Sequence, residues 1–227
     1  MKVKLISYSK PSNELSNEGI EDAQELIAYC ARVSNPSNQL NSETSERLVK
    51  YLIKHQHWSP LEMVSMCLEI TTTRDIARQI LRHRSFSFQE FSQRYADPTK
   101  DLDFVLREAR LQDHTNRQNS KPIDLNDDSQ RQLAYQWEQI QTRVIVESKN
   151  AYEWAISKGI AKEQARAVLP EGLMMSRMYM NGTLRSWVHY IQVRSGNGTQ
   201  KEHMDIARNC AQVIQDIFPM SPQFVQE

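Results

Sequence analysis

Residues 64–95 read VSMCLEITTTRDIARQILRHRSFSFQEFSQRY. The pattern changes period inside this stretch. Val64 to Thr72 alternates and ends in β-branched residues, which predicts a strand. From Thr73 onward Ile76, Ala77, Ile80 and Leu81 recur at helical spacing, which predicts a helix to about Arg84. On that helix Arg74, Arg78 and Arg82 follow at steps of four, and so do Asp75, Gln79 and His83, giving two adjacent polar stripes. Arg82-His83-Arg84 would then lie at the helix C-terminus, where the macrodipole favours positive charge. Ser85 to Tyr95 reads as loop or extended chain, dense in hydroxyl, amide and carboxyl groups and anchored by Phe86, Phe88 and Phe91. Guanidinium groups are planar forks of donors with a fixed charge, suited to phosphates and electron-rich rings. Taken alone, the cluster is equally a solvated helix end.

Outward from this stretch, strands and helices are interspersed. Residues 2–8 (KVKLISY) and 173–181 (LMMSRMYMN) alternate and are expected as strands. Helices are expected over Glu21 to Arg32, residues 42–56 with a Ser or Thr as N-cap, Ser129 to Lys158, Lys162 to Leu169 ended by Pro170, Thr183 to Arg194 and Gln200 to Ile217. Ser59-Pro60-Leu61-Glu62 has the form of a capping box with Pro at the first helical position. Residues 96–127 are polar and carry Pro98 and Pro122, and are expected to be a flexible or inserted segment. The expected class is α+β, one domain over 1–227, with a mostly antiparallel sheet packed by long helices.

The 227 residues carry 28 basic and 28 acidic side chains. A net charge of zero argues against a protein that coats nucleic acid. No run is long enough to cross a bilayer, and the apolar part of MKVKLISYSK is too short for a signal peptide, so the expected location is the cytoplasm. Cys30, Cys67 and Cys210 are far apart, form no C-x-x-C pair, and are expected as buried thiols.

Smaller constellations surround the cluster. His55 and His57 stand two apart at a helix end with no third ligand in sequence, so no metal site is expected. Free N–H groups after Ser59 would suit an anion. Asn181-Gly182 reads as a turn and Thr183 as the N-cap of a helix carrying Arg185, His189 and Arg194. Ser92 lacks a G-x-S-x-G context and a neighbouring base, so it is a poor nucleophile.

Several separated segments resemble the flavin-dependent thymidylate synthases. Arg82-His83-Arg84, seven residues, Ser92 matches their R-H-R-x7-S signature. Ala31-Arg32-Val33-Ser34, His55-x-His57-x-Ser59-Pro60-x-Glu62, Ala77-Arg78-Gln79-x-x-Arg82, Ala165-Arg166-x-x-Leu169-Pro170, and Asn181-Gly182-Thr183-Leu184-Arg185-Ser186 with Arg194 are similar to that family in its order. Gln89 and His189 stand where members often, or sometimes, carry Asn.

The resemblance implies reductive methylation of dUMP to dTMP, with carbon from 5,10-methylenetetrahydrofolate and hydride from FAD reduced by NADPH. It implies a homotetramer with sites shared between subunits, and no cysteine nucleophile. Gln79, Arg82, Glu90, Phe91, Ser92, Gln93, Arg94, Arg166 and Arg194 would bind dUMP. Arg94 and Arg166 would take the phosphate, and Arg194 would be the catalytic group against the uracil edge. Ser34, His57, Ser59, Glu62, Arg82, His83, Arg84, Gln89, Asn181, Arg185 and His189 would hold FAD. The alternatives are a non-enzymatic nucleotide- or RNA-binding protein with the phenylalanines as stacking groups, and a flavoprotein of this fold without the methylation.

Overall fold

The computed structural model describes Met1–Gln226. In chain order the elements are β1 (Lys2–Tyr8), α1 (Asn13–Asn17), α2 (Ala23–Ala31), α3 (Ser45–Lys54), β2 (Ser65–Thr73), α4 (Arg74–Ile80), β3 (Ser87–Glu90), α5 (Pro98–Asp101), β4 (Arg110–Gln112), β5 (Ser120–Pro122), α6 (Asp128–Ser157), α7 (Lys162–Ala165), β6 (Met175–Thr183), α8 (Leu184–Arg194) and α9 (Lys201–Gln215). Four strands form one sheet in the order β1-β2-β6-β3. Every neighbouring pair is antiparallel. This is the α+β architecture the sequence predicts, with a small β4–β5 ribbon added.

The sheet is built around β2 and β6. They pair along their whole length, from Ser65 opposite Thr183 to Thr73 opposite Met175. Each runs directly into a helix, β2 into α4 and β6 into α8. Because the strands are antiparallel, the two helices start from opposite ends of the sheet. Period-2 alternation puts Met66, Leu68, Ile70, Met178 and Met180 on the inner face, against Trp187, Ile191, Ile206, Ala207, Cys210 and Ile214 of α8 and α9. A second apolar cluster of Tyr152, Ala155, Ala165, Leu169 and Met174 fastens the C-terminal half of α6.

Several expectations are corrected. α4 stops at Ile80, before the Arg82-His83-Arg84 cluster, which lies in a turn. Arg82 N bonds Gln79 O and His83 N bonds Ile80 O, three-residue steps that tighten and end the helix. Asn181-Gly182 is not a turn but part of β6, paired with β2 and β3. The glycine serves a close approach: a Cβ there would stand 2.4 Å from Phe86 Cδ1. Ser59–Glu62 is a single 3-10 turn without a side-chain cap, so no helix N-terminus is available for an anion. Thr44 occupies the N-cap position of α3, but its hydroxyl accepts a bond from Arg32 Nη2 at 2.7 Å instead of capping. Cys30 and Cys67 are only half-buried; Cys210 is fully buried.

Residues 96–127 hold α5 and the β4–β5 hairpin. Asp113 organises the hairpin loop by accepting from Thr115 N at 2.9 Å, Thr115 Oγ1 at 2.7 Å and Asn119 Nδ2 at 3.1 Å. These bonds hold its carboxyl well below the ordinary range. No helix among the described residues is long and apolar enough to cross a membrane.

Candidate active site

The two strand–helix units meet at the ends of their helices. Arg194, the last residue of α8, donates through Nε to His83 Nε2 at 3.0 Å. His83 follows α4 and packs edge-on against Tyr190, with ring centroids 5.0 Å apart. Burial, then the charges of Arg194 and Arg82, lower the His83 pKa to about 4. The imidazole is therefore neutral near pH 7, and its Nε2 lone pair accepts from the guanidinium. Nε being committed to His83, the Nη groups of Arg194 are the ones left for a ligand. Ser186 Oγ donates to Ser85 O at 3.3 Å, which ties the turn after the cluster to the first turn of α8. Arg82 and Arg84 are exposed on this turn.

A second group lies around the start of α8. Arg185 pairs with Glu62. His189, one turn along, tilts against the Trp58 ring at 4.6 Å between centroids. Asn181 is exposed and opposite Ser87 of β3, beside the turn that carries the cluster. His57 is placed by a Schellman cap on α3: His57 N bonds Leu52 O, Gln56 N bonds Ile53 O, and Gln56 takes the left-handed φ of 58°. His57 and Ser59 are exposed. Polar, basic and exposed groups beside a tryptophan ring form a donor set that fits a phosphorylated aromatic cofactor. Ser34 is exposed in the segment after α2, and Gln89 is exposed on β3 opposite Tyr179.

The remaining expected residues gather near the start of β6. Arg94 pairs with the Glu163 carboxylate at 3.6 Å, and Arg166 Nε donates to the Glu163 carbonyl at 3.3 Å. Both guanidinium groups thus border one short segment, α7. Gln93 is buried and its amide contacts Met174 Sδ at 3.1 Å, which makes it an anchor rather than a surface contact. Phe91 N bonds Arg177 O at 2.9 Å and holds the chain to the edge of β6. Ser92 Oγ accepts from Arg94 N at 3.4 Å. No imidazole or carboxylate among the described residues bonds that hydroxyl, so it has no activating base. Glu90 accepts from Ser176 Oγ at 2.8 Å and faces Arg74 Nη1 at 3.5 Å.

The structure thus divides the expected substrate set. Arg82 and Arg194 lie with the cluster, Glu90, Ser92, Arg94 and Arg166 lie toward the start of β6, and Gln79 lies between them on α4, whose first residue Arg74 faces Glu90. From Met175 to Thr183 the strand takes eight steps, about 26 Å at about 3.3 Å per residue.

Sequence reasoning missed four residues behind Gln79. Gln79 Nε2 donates to Gln200 Oε1 at 2.9 Å, and Gln79 Oε1 is 3.3 Å from His203 Nδ1. Gln200 Nε2 donates to Glu202 Oε2 at 2.9 Å, and Glu202 pairs with Arg107 at 3.1 Å. The T-Q-K-E-H run held a usable signal, polar residues opening a helix, but nothing tied it to Gln79, 121 residues earlier. A cavity of about 760 Å³ lies beyond this network, between Arg107, Gln200 and the apolar face of α6 (Leu133, Trp137, Ile140). Arg82, His83, Arg84 and Arg194 do not line it.

Two observations narrow the readings. Phe86 is 8 % exposed and packs on Trp187 at 4.8 Å, and Phe88 packs against the core, so these rings are not free to stack on bases. Burial raises the pKa of Cys30 and Cys67 and raises that of Cys210 far more, so none is a ready thiolate.

Comparison with known proteins bears on the whole chain. Residues 15–220 match the family model described as thymidylate synthase complementing protein. The chain is 48% identical over 219 residues to a probable flavin-dependent thymidylate synthase of Paramecium bursaria Chlorella virus 1, covering 96% of each. It is 47% identical over 219 residues to the flavin-dependent thymidylate synthase of Synechocystis sp., again covering 96% of each. Among solved structures it resembles a UMP/dUMP methylase, PolB, from Streptomyces cacaoi bound with 5-Br dUMP, at a TM-score of 0.78 and 22% identity, covering 98% of this chain and 93% of that one. At that identity the likeness speaks to the fold. The family match and the near full-length relatives make the further statement: this chain belongs to the flavin-dependent thymidylate synthases.

Proposed function

We propose that this FAD-dependent thymidylate synthase methylates dUMP at C5 with carbon from 5,10-methylenetetrahydrofolate and uses NADPH as reductant. The observation that carries the site assignment is the Arg194–His83 contact at the meeting point of the two strand–helix units. Arg194 would lie against the uracil edge. Its fixed charge stabilises the ring anion formed when N3 loses its proton, and that charge extends to C5, the carbon that must act as nucleophile. His83, neutral and accepting from Nε, holds the guanidinium without competing for the anion. Reduced FAD supplies the hydride when bound. His57, Ser59, Glu62, Arg84, Asn181, Arg185 and His189 would hold it, with Ser34 and Gln89 at the margins and Arg82 between the two ligands.

Arg94 and Arg166 would take the dUMP phosphate, exchanging their contacts with the α7 segment for a dianion. Ser92 would position the nucleotide as a hydroxyl donor, and Glu90 would accept from its sugar or base. The placement of Arg94 and Arg166 near the start of β6 and of Arg185 beyond its end supports a homotetramer in which one subunit's Arg94 and Arg166 complete a neighbour's site. The apolar stripe of Leu133, Trp137, Ile140 and Val144 on α6, each at least 40% exposed, suits burial between subunits. The test of the cofactor assignment is the visible spectrum. Purified protein is expected to carry the yellow of oxidised flavin and to lose it with NADPH; colourless protein that takes up no added FAD would contradict the reading.

A further inference from the structure

His203 is fully buried in the first turns of α9, yet only one of its ring nitrogens is bonded. Nδ1 lies 3.3 Å from Gln79 Oε1, while Nε2 is buried with no partner, as is the hydroxyl of neighbouring Tyr190. The His203 and Tyr190 rings are 5.8 Å apart, and His203 and His83 are 6.3 Å apart at 89°. A buried imidazole with an unpaired nitrogen is costly where an aliphatic side chain would pack, so its retained bond is the feature to explain.

From this geometry we infer that His203 is a positioning residue, which fixes the carboxamide of Gln79 so that its amide, rather than its oxygen, is presented toward the nucleotide. The inference rests on the reading of Gln79 as a dUMP contact. An amide has two orientations, and its two ends differ in hydrogen-bond sense. Gln200 Oε1 accepts from Gln79 Nε2 at 2.9 Å, so the Gln79 oxygen is the end that faces His203. His203 must then carry its proton on Nδ1. Gln200 is itself oriented, because its Nε2 donates to the acceptor-only carboxylate of Glu202 at 2.9 Å; Gln200 thus holds the amide end of Gln79, and the imidazole Nδ1–H holds the oxygen end. Burial and the charge of Arg194 lower the His203 pKa to about 3, which keeps the ring neutral through the physiological range, and the contact with Gln79 Oε1 selects the Nδ1–H tautomer. Gln79 Nε2 keeps its second hydrogen for a ligand carbonyl or phosphate oxygen. Gln79 and His83 are one turn apart and His203 packs behind both, so one side chain backs the substrate amide and the imidazole that holds Arg194.

The test compares His203→Leu, His203→Asn and Gln79→Ala in the FAD-loaded protein. His203→Leu is expected to raise the KM for dUMP about three- to tenfold, the loss of one hydrogen bond, with kcat, the flavin spectrum and Tm near wild type. His203→Asn offers an amide N–H in place of Nδ1–H and is expected to restore most of the KM. Gln79→Ala should raise KM at least as much, and His203→Leu added to it should change nothing further. Long-range proton–nitrogen spectra should show His203 as the Nδ1–H tautomer. Three results would overturn the inference: an Nε2–H tautomer, a wild-type KM in folded His203→Leu, or equal losses in kcat, KM and Tm for both His203 variants. If Gln79→Ala also keeps a wild-type KM, the substrate role of Gln79 itself fails; if only His203→Leu does, the role of His203 alone fails.

Discussion

At the level of single residues, the bond from Arg194 Nε to His83 Nε2 joins charge and orientation in one contact. A guanidinium on a helix end has many rotamers, and a neutral acceptor selects among them without cancelling the charge. Arg194→Ala is expected to lower kcat by about 100- to 1,000-fold, the range for removing a preorganised charge stabiliser, while the protein still binds FAD. Near-normal turnover in steady-state assays would refute the role given to Arg194. The same burial has a consequence for pH. The folded pKa values of His83 and His203, about 4 and about 3, lie below the unfolded value of 6.5. Below pH 6.5 the unfolded chain binds protons at these rings that the folded chain does not, so stability is complete above that pH and falls as the pH is lowered toward 4. Thermal melts from pH 7.5 to 4.5 should show Tm declining on the acid side, with a shallower decline in His203→Leu.

At the level of elements, the site depends on two strands that run without a loop into helices. Gly182 lies at the closest approach, beneath the ring of Phe86. Gly182→Ala is expected to push that ring aside, to cost about 1–3 kcal/mol as an overpacked core does, and to loosen β3. Urea unfolding would measure the cost, and an unchanged midpoint would show that the approach is not tight. Much of this architecture is legible in the sequence. Ile76, Ala77 and Ile80 mark α4 by period, and Thr183 caps α8 through Ser186 N as its residue type suggests. The failures are physical ones. Asn181-Gly182 has the composition of a turn, but its pairing with Ser87 and Cys67 comes from distant segments that local chemistry does not reveal. Ser59–Glu62 has the residues of a capping box, and Glu62 is taken by Arg185 instead, 123 positions away. The cluster and its arginines were readable because the R-H-R-x7-S spacing is local. Gln200, His203 and Arg107 were not, because their tie to Gln79 exists only in three dimensions.

For the whole molecule, the separation of Arg94 and Arg166 from the Arg185 end of β6 is the feature that one subunit does not resolve. Assembly would resolve it, and the stripe on α6 is the surface on which the account relies. The double variant Trp137→Glu, Ile140→Glu should sediment as smaller species than wild type and lose dTMP formation while remaining folded by circular dichroism. An unchanged sedimentation coefficient would place the subunit contacts elsewhere. The central claim, that the chain is a thymidylate synthase whose hydride comes from flavin, is tested most directly by following dTMP formation by mass spectrometry with purified protein, dUMP, 5,10-methylenetetrahydrofolate and NADPH, with and without FAD. The account predicts dTMP in proportion to enzyme, dependent on bound flavin. Protein that binds FAD and is reduced by NADPH, yet forms no dTMP from dUMP, would contradict it.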